Sequence, residues 1–145
     1  MYPTTPEERQ VYEQLVRYFR AIDEGDFADA AHLMARATVR TSEGTWQGPS
    51  GGAELLTRLR LYDGRPATKH LMSTWDIHFE AAGIVAKSLV YVLVLQATEE
   101  LPLSLIRATR YADTFVKDEN TWYLSERDTT VGELTGDLRH HVSPV

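Results

Sequence analysis

The chain has 145 residues and contains no cysteine. This absence excludes disulfide bonds, thiolate chemistry, and zinc or iron–sulfur sites built on cysteine. Two other catalytic patterns are also missing. No glycine-rich loop is followed by the lysine of a phosphate-binding motif, and no Gly-x-Ser-x-Gly elbow is present. The sequence therefore offers no candidate nucleophile for covalent catalysis.

Long apolar runs and basic clusters are missing as well. The longest nearly uncharged apolar stretch, residues 88–98, is too short to cross a bilayer, and no apolar signal segment follows Met1. We therefore expect a cytoplasmic protein. The formal net charge of −6, without any run of Lys or Arg, argues against nucleic acid or an anionic membrane as a partner. We expect one globular domain over residues 1–145.

The first third of the chain predicts two helices. Thr5 is a capping residue, Pro6 suits the first helical position, and Glu8 completes a capping box. Apolar residues then recur with helical spacing, and Gly25 is a typical helix end. A second short helix is predicted over residues 27–35, with Asp26 as its cap.

The middle of the chain predicts a small hairpin, with strands over residues 37–41 and 45–47. Residues 48–52, rich in glycine, predict a loop, and a third helix is expected over residues 53–62.

The second half of the chain predicts four long strands, at residues 68–80, 84–98, 103–117 and 121–131. Short separators make them sequential antiparallel neighbours. Helices followed by antiparallel strands predict an α+β fold with helices covering one sheet face. The second long strand is apolar on both faces, so we expect helices on one side and a partner subunit on the other.

One carboxylate stands on the wrong side of the first helix. At about 100° per residue, Asp23 projects into the apolar arc between Val16 and Phe19. A bare carboxylate is costly to bury, so Asp23 must be paired, hydrogen-bonded or lining a cavity. The plainer alternative is that it anchors the turn at Gly25 through backbone amides.

Two further side chains are candidates for acid–base chemistry. His70 lies early in the first long strand and could transfer protons near neutral pH; the alternative is a hydrogen-bonded core histidine. Tyr18 could donate a hydrogen bond to a substrate oxygen, or be a half-buried core tyrosine. Paired with Asp23, His70 would form the base–orienter arrangement used in proton transfer.

Other polar residues have more ordinary explanations. We expect Asp113 to pair with a basic residue across the sheet. Glu126 and Arg127 have opposite parity, and the pattern does not decide which one faces the interior. His140 and His141 lie in a polar tail, where we expect solvated side chains and no metal site.

At this point the sequence resembles the SnoaL-like branch of the nuclear transport factor 2-like superfamily, whose relatives include scytalone dehydratase, bile-acid dehydratase, ketosteroid isomerase and polyketide cyclases. Short motifs in the expected order carry the resemblance: Tyr18, Asp23, Asp26 and Phe27 around the end of the first helix, Gln47-Gly48 before the third, Lys69-His70 opening the first long strand, Arg110-Tyr111-Ala112-Asp113 in the third, and Trp122 to Arg127 in the fourth.

The resemblance implies a cone-shaped, strongly curved antiparallel sheet wrapped around the first helix, with an apolar pocket and often a dimer through the outer sheet face. It implies a cyclase, dehydratase or isomerase that needs no cofactor and acts on a hydrophobic cyclic molecule. The alternative is a non-catalytic binding or assembly module.

The resemblance also implies the site residues. Tyr18, Asp23 and His70 would be catalytic, with Arg127 as the nearest candidate for a basic residue near the end. Five residues are candidates for substrate contact: Met34, Trp46, Met72, Thr74 and Tyr111. Many relatives have asparagine where this chain has Thr74, so one polar contact would be altered.

Overall fold

The computed structural model describes residues 2–143. Its three α-helices are α1 (Pro6–Glu24), α2 (Phe27–Leu33) and α3 (Gly48–Leu56). Its strands are β1 (Thr38–Thr41), β2 (Gly44–Gln47), β3 (Thr68–Glu80), β4 (Val85–Gln96), β5 (Ser104–Asp118) and β6 (Thr121–Thr135). They form one sheet in the order β2-β1-β6-β5-β4-β3. The predicted α+β fold and the antiparallel meander β3 to β6 are confirmed. The parallel pairing of β1 with β6 was not predicted.

Helix α1 is built as its sequence predicts. The Thr5 hydroxyl accepts a hydrogen bond from the Glu8 amide, and Gly25 ends the helix in the left-handed conformation at φ 78°. Val11, Leu15 and Phe19 are buried against the sheet. The helix is therefore the core element around which the sheet packs.

The prediction for α3 was wrong in its boundaries. Residues 48–52 form the first turns of the helix instead of a loop, and the helix ends at Leu56. The glycines are needed for close packing. A Cβ on Gly51 would lie 3.1 Å from the Trp46 carbonyl carbon, and one on Gly52 would lie 3.3 Å from the Met34 Cβ. Beyond Leu56 the chain leaves the helix, and Leu59 makes an isolated antiparallel bridge with Val142.

Strand β4 has one buried and one outward face. Its buried residues alternate along the strand: Ala86, Ser88, Val90, Val92, Val94 and Gln96. On the opposite face, Tyr91 and Leu93 are exposed in the single chain. The expected covering by helices on one side is present, and the other side is open to a partner.

A β-bulge in β3 changes which side chains face the helices. The register to β4 shifts between Ser73 and Asp76, and Thr74 has φ 50°. Before the bulge, His70 and Met72 point inward, whereas after it Trp75 is buried and Asp76 is exposed. The simple alternation predicted from residue 70 to residue 78 therefore fails at Thr74.

The helices described between residues 2 and 143 include none with the length and apolar character needed to cross a membrane.

Candidate functional site

A small cavity lies where the end of α1, the start of β3, the middle of β5 and the C-terminal segment meet. Its volume is about 70 Å³. Its walls combine apolar and aromatic residues with polar side chains, which include Tyr18, Arg58, His70, Arg107 and His141. Because a concave space with several convergent polar groups is where chemistry or binding usually occurs, this cavity is the candidate active site.

Asp23 and His70 form a hydrogen-bonded pair at the cavity. The His70 Nδ1 lies 2.6 Å from the Asp23 Oδ1, and the His70 backbone amide donates to the Asp23 Oδ2 at 2.9 Å. The Thr68 hydroxyl donates to the Asp23 Oδ1 at 2.7 Å. The amide of Gly25 bonds to helix carbonyls, so Asp23 does not anchor that turn.

The hydrogen bonds keep Asp23 ionised. Burial would raise the pKa of this carboxyl, but the His70 ring, the His70 amide and the Thr68 hydroxyl together outweigh burial and lower the pKa below its ordinary value. An ionised carboxylate only accepts hydrogen bonds, so the single proton of a neutral His70 ring is on Nδ1. The lone pair is then on Nε2, the nitrogen that does not contact Asp23. This is the tautomer of a general base.

Aromatic rings fix the plane of His70. Phe19 stacks on the imidazole with ring centroids 5.3 Å apart and planes 12° apart, and Tyr111 meets Phe19 edge-on. Tyr18 and Tyr111 both line the cavity. Burial raises the pKa of the Tyr18 phenol despite the nearby Arg127 charge, so the phenol is a proton-bearing donor.

Arg127 is buried and paired behind this wall. Its guanidinium donates to both carboxylate oxygens of Asp113 at 2.9 and 2.8 Å, as expected for a cross-strand partner of Asp113. It also lies over the Tyr18 ring at 4.4 Å. Arg127 faces the interior and Glu126 is exposed. Arg127 does not line the cavity, so it supports Tyr18 from behind.

Of the five residues predicted to contact substrate, Tyr111 alone lines the cavity. Met34 is fully buried and packs on Gly52, and Trp46 packs on Gly51. Met72 packs on the core. Thr74 is exposed at the bulge, because the register shift turns it to solvent. These four residues therefore stand outside the cavity.

Sequence reasoning missed two cavity residues. His141 was expected to be solvated, but it is 5% exposed because the C-terminal segment folds back beside α3. Burial, with the charges of Arg107 and His70, lowers the pKa of His141 to about 3. Arg107 also lines the cavity. No local signal marks either residue, since both reach the site through long-range contacts.

The molecule has no metal-binding cluster among its described residues, and it has a second, larger concave surface. Within residues 2–143, no three histidine, aspartate or glutamate side chains converge as metal ligands. A larger groove of about 600 Å³ lies on the outer sheet face, lined by charged groups such as Asp76, His78 and Lys87. It is open and does not include the Asp23–His70 pair, so we assign chemistry to the smaller cavity.

Solved structures with the same fold carry the names of several kinds of protein. A scytalone dehydratase-like protein from Novosphingobium aromaticivorans is 22% identical, with 96% of this chain and 93% of that chain covered and a TM-score of 0.71. The hexachlorocyclohexane dehydrochlorinase LinA-type3 from Novosphingobium barchaimii is 18% identical, with 94% of each chain covered and a TM-score of 0.70. ActVI-ORFA from Streptomyces coelicolor is 16% identical, with 84% and 95% covered and a TM-score of 0.68.

These identities establish the fold and leave function to the site. No curated protein matches the chain. The family model of the SnoaL-like domain matches residues 3–128, which is most of the chain. The order of elements and the curled sheet agree with neighbours of cystatin-like and nuclear transport factor 2-like fold. The chain therefore belongs to the SnoaL-like family.

Proposed function

We propose that this protein is a cofactor-independent acid–base enzyme, a cyclase, dehydratase or isomerase, acting on a hydrophobic cyclic molecule such as a polyketide- or steroid-like compound. The single observation that carries the proposal is the 2.6 Å contact between the His70 Nδ1 and Asp23 at the cavity. This contact supports a basic Nε2 at the cavity wall.

The proposed chemistry is proton transfer at carbon. The Nε2 of His70 takes a proton from a carbon next to a carbonyl, and the C–H electron pair moves to the carbonyl oxygen as an enolate. Asp23 stabilises the imidazolium that results, and Tyr18 donates a hydrogen bond to the oxygen that gains charge. The proton then returns at another carbon, or departs with a leaving hydroxyl as water. In a cyclisation, the enolate carbon attacks a second carbonyl to close the ring, and the proton goes to the resulting alkoxide. Two neighbours whose names denote eliminations, a dehydratase and a dehydrochlorinase, support this reaction class.

One observation favours a second function, a non-catalytic assembly module. The cavity of about 70 Å³ is far below the roughly 300–1,000 Å³ of typical ligand pockets. A cyclic substrate would therefore enter only if a wall moves. The wall formed by Leu59 and Val142 is joined by an isolated bridge, which is a weaker connection than a sheet ladder.

The experiment that separates the two functions uses nitrobenzisoxazole, a bicyclic carbon acid that opens to a coloured phenolate when a base removes its ring proton. We expect saturable turnover by the wild type and a loss of about a hundredfold in His70→Asn. His78→Asn is the matched control, since His78 lies on the same strand but is exposed on the outer face. Equal rates in wild type and a folded His70→Asn variant would sink the proposal and favour the assembly module.

A further inference from the structure

Three cavity atoms outside the Asp23–His70 pair lack hydrogen-bond partners. The Arg58 Nε, the Arg107 Nε and the His141 Nδ1 are all buried, and none has a hydrogen-bond partner among residues 2–143. Buried polar atoms are nearly always hydrogen-bonded, and each exception needs an explanation. Three exceptions on the walls of one cavity indicate a place where a ligand atom completes the bonding.

The Arg107 guanidinium makes only a loose ion pair. Its Nε lies 3.9 Å from the Glu133 Oε2, which is within ion-pair range but beyond hydrogen-bond distance, and that oxygen also lacks a hydrogen-bond partner among residues 2–143. The other arginine of the cavity, Arg58, donates to Glu43 at 2.5 Å and to the Ser143 carbonyl at 3.2 Å, although its Nε has no partner in the same range. Arg107 is thus the cavity arginine without a hydrogen bond to a carboxylate among residues 2–143, and a guanidinium is well suited to an anionic oxygen.

His141 is the natural second donor. Burial, with the fields of Arg107 and His70, lowers its pKa to about 3, so the ring is neutral at ordinary pH. A neutral imidazole offers one N–H and adds no second charge beside Arg107. Its position is fixed by the backbone, since the Arg60 amide donates to the His141 carbonyl at 2.8 Å.

We propose that Arg107 and His141 form a binding subsite for an anionic oxygen of the substrate. The substrate class is a hydrophobic ring compound that carries either a carboxylate or an oxygen that becomes an enolate or phenolate when His70 removes a proton. This inference rests on the proposed function, because it assigns the substrate class of the same cavity.

The first test is binding of matched probes to the full-length wild type, measured by calorimetry and by NMR of the histidine rings. Benzoate carries a carboxylate, and benzamide is its neutral counterpart. We expect benzoate to bind at least about tenfold more tightly, the usual scale of a charge-assisted hydrogen bond, and to move the His141 ring signals. Equal affinities, no benzoate binding, or binding that leaves the His141 signals in place would exclude a substrate carboxylate at the subsite.

Para-nitrophenol tests the other source of the anionic oxygen. If the subsite serves an ionising oxygen, the bound probe is the coloured phenolate at a pH where the free probe is mainly neutral. If only benzoate shows the preference, the anionic oxygen at the subsite is that of a substrate carboxylate. If the bound nitrophenol is ionised, the anionic oxygen is that of an enolate or phenolate. Failure of both arms contradicts the proposal.

Variants then locate the preference. Arg107→Met should abolish it, whereas Arg107→Lys should retain part of it. Arg110→Met is the control, because Arg110 lies on the same strand against the ring of Tyr91. A benzoate preference that survives in Arg107→Met would overturn the assignment. The wild-type measurements stand by themselves if Arg107→Met does not fold.

The two proposals can be contradicted separately. Failure of the acid–base proposal would appear as unchanged turnover in His70→Asn, with benzoate binding intact. Failure of the anion-subsite proposal would appear as equal binding of benzoate and benzamide together with neutral bound nitrophenol, while the His70 dependence of nitrobenzisoxazole turnover persists.

Discussion

Both oxygens of the Asp23 carboxylate are occupied by groups from one strand. The Thr68 hydroxyl, the His70 amide and the His70 ring all belong to β3, so the end of α1 is tied to the start of that strand. The same bonds orient the imidazole and hold it in one tautomer. A carboxylate on the apolar arc of a helix could be recognised from spacing alone, because burial obliges it to find partners.

The burial of His141 predicts how the free energy of unfolding depends on pH. Its pKa is about 3 in the folded protein and about 6.5 as its ordinary value. Between these values the unfolded chain holds one more proton, so the free energy of unfolding falls as pH falls. From mildly acidic pH down by two units, the wild type should lose roughly 2 kcal/mol more than His141→Gln. Urea denaturation at several pH values measures this, and parallel curves for the two proteins would contradict it.

The buried ion pair of Asp113 and Arg127 predicts a large loss of stability when one partner is neutralised. Asp113 and Arg127 are almost fully buried, so Asp113→Asn leaves a charge without its partner. We expect a loss of about 3–5 kcal/mol in the free energy of unfolding. Replacing both residues, as Asp113→Leu with Arg127→Met, should cost less than the single change.

The exposed pair of Arg36 and Asp118 is the control for that experiment, since more than half of each side chain is open to solvent. Asp118→Asn should cost under about 1 kcal/mol. A loss in Asp113→Asn as small as in this control would show that the buried charge finds another partner.

At the scale of elements, the bulge in β3 lets one strand present two sets of inward side chains. His70, which precedes the bulge, reaches the cavity, and Trp75, which lies at the bulge, is buried in the core. Regular alternation would have sent one of these sets to solvent. Thr74 holds φ 50°, a conformation that β-branched residues rarely adopt.

The bulge predicts a stabilising substitution. Thr74→Gly should raise the free energy of unfolding by about 1 kcal/mol, because glycine adopts the left-handed conformation without strain. Ser73→Gly is the control and should be neutral or destabilising, since Ser73 is not among the residues with positive φ. Thermal or urea denaturation of the two variants is sufficient. Thr74→Gly no more stable than Ser73→Gly would refute the strain.

Local patterns predicted most elements because the decisive forces are local. Caps define α1, and short separators define the meander from β3 to β6. Three features were not predicted, because they depend on contacts that local patterns do not show. The pairing of β1 with β6, the burial of His141 and the packing of Gly52 on Met34 all depend on residues distant in sequence. The glycine content of residues 48–52 predicted a loop, but these residues form the start of a tightly packed helix.

At the scale of the whole molecule, the outer face of the sheet carries an apolar patch, which comprises Leu71, Tyr91, Leu93, Leu105 and Leu134. Each of these side chains is at least 38% exposed in the single chain. Contiguous exposed apolar surface of this kind typically marks an interface. We propose that a second copy of the chain covers the outer apolar patch.

Sedimentation equilibrium tests this proposal. The wild type should have twice the chain mass of 16.4 kDa, and Leu93→Glu should shift the equilibrium to the monomer. Leu61→Glu is the control, because Leu61 is similarly exposed but lies outside the sheet. A wild type that stays monomeric across the accessible concentration range would exclude the dimer.

The most direct test of the central claim is the protonation state of the His70 ring, read from long-range proton–nitrogen correlation spectra of the labelled protein at mildly alkaline pH. The account predicts a proton on Nδ1 and a free Nε2, because Asp23 accepts the Nδ1 hydrogen bond. In Asp23→Asn this preference should weaken or reverse. A wild-type spectrum with the proton on Nε2 would contradict the account, since the cavity would then face no basic nitrogen of His70.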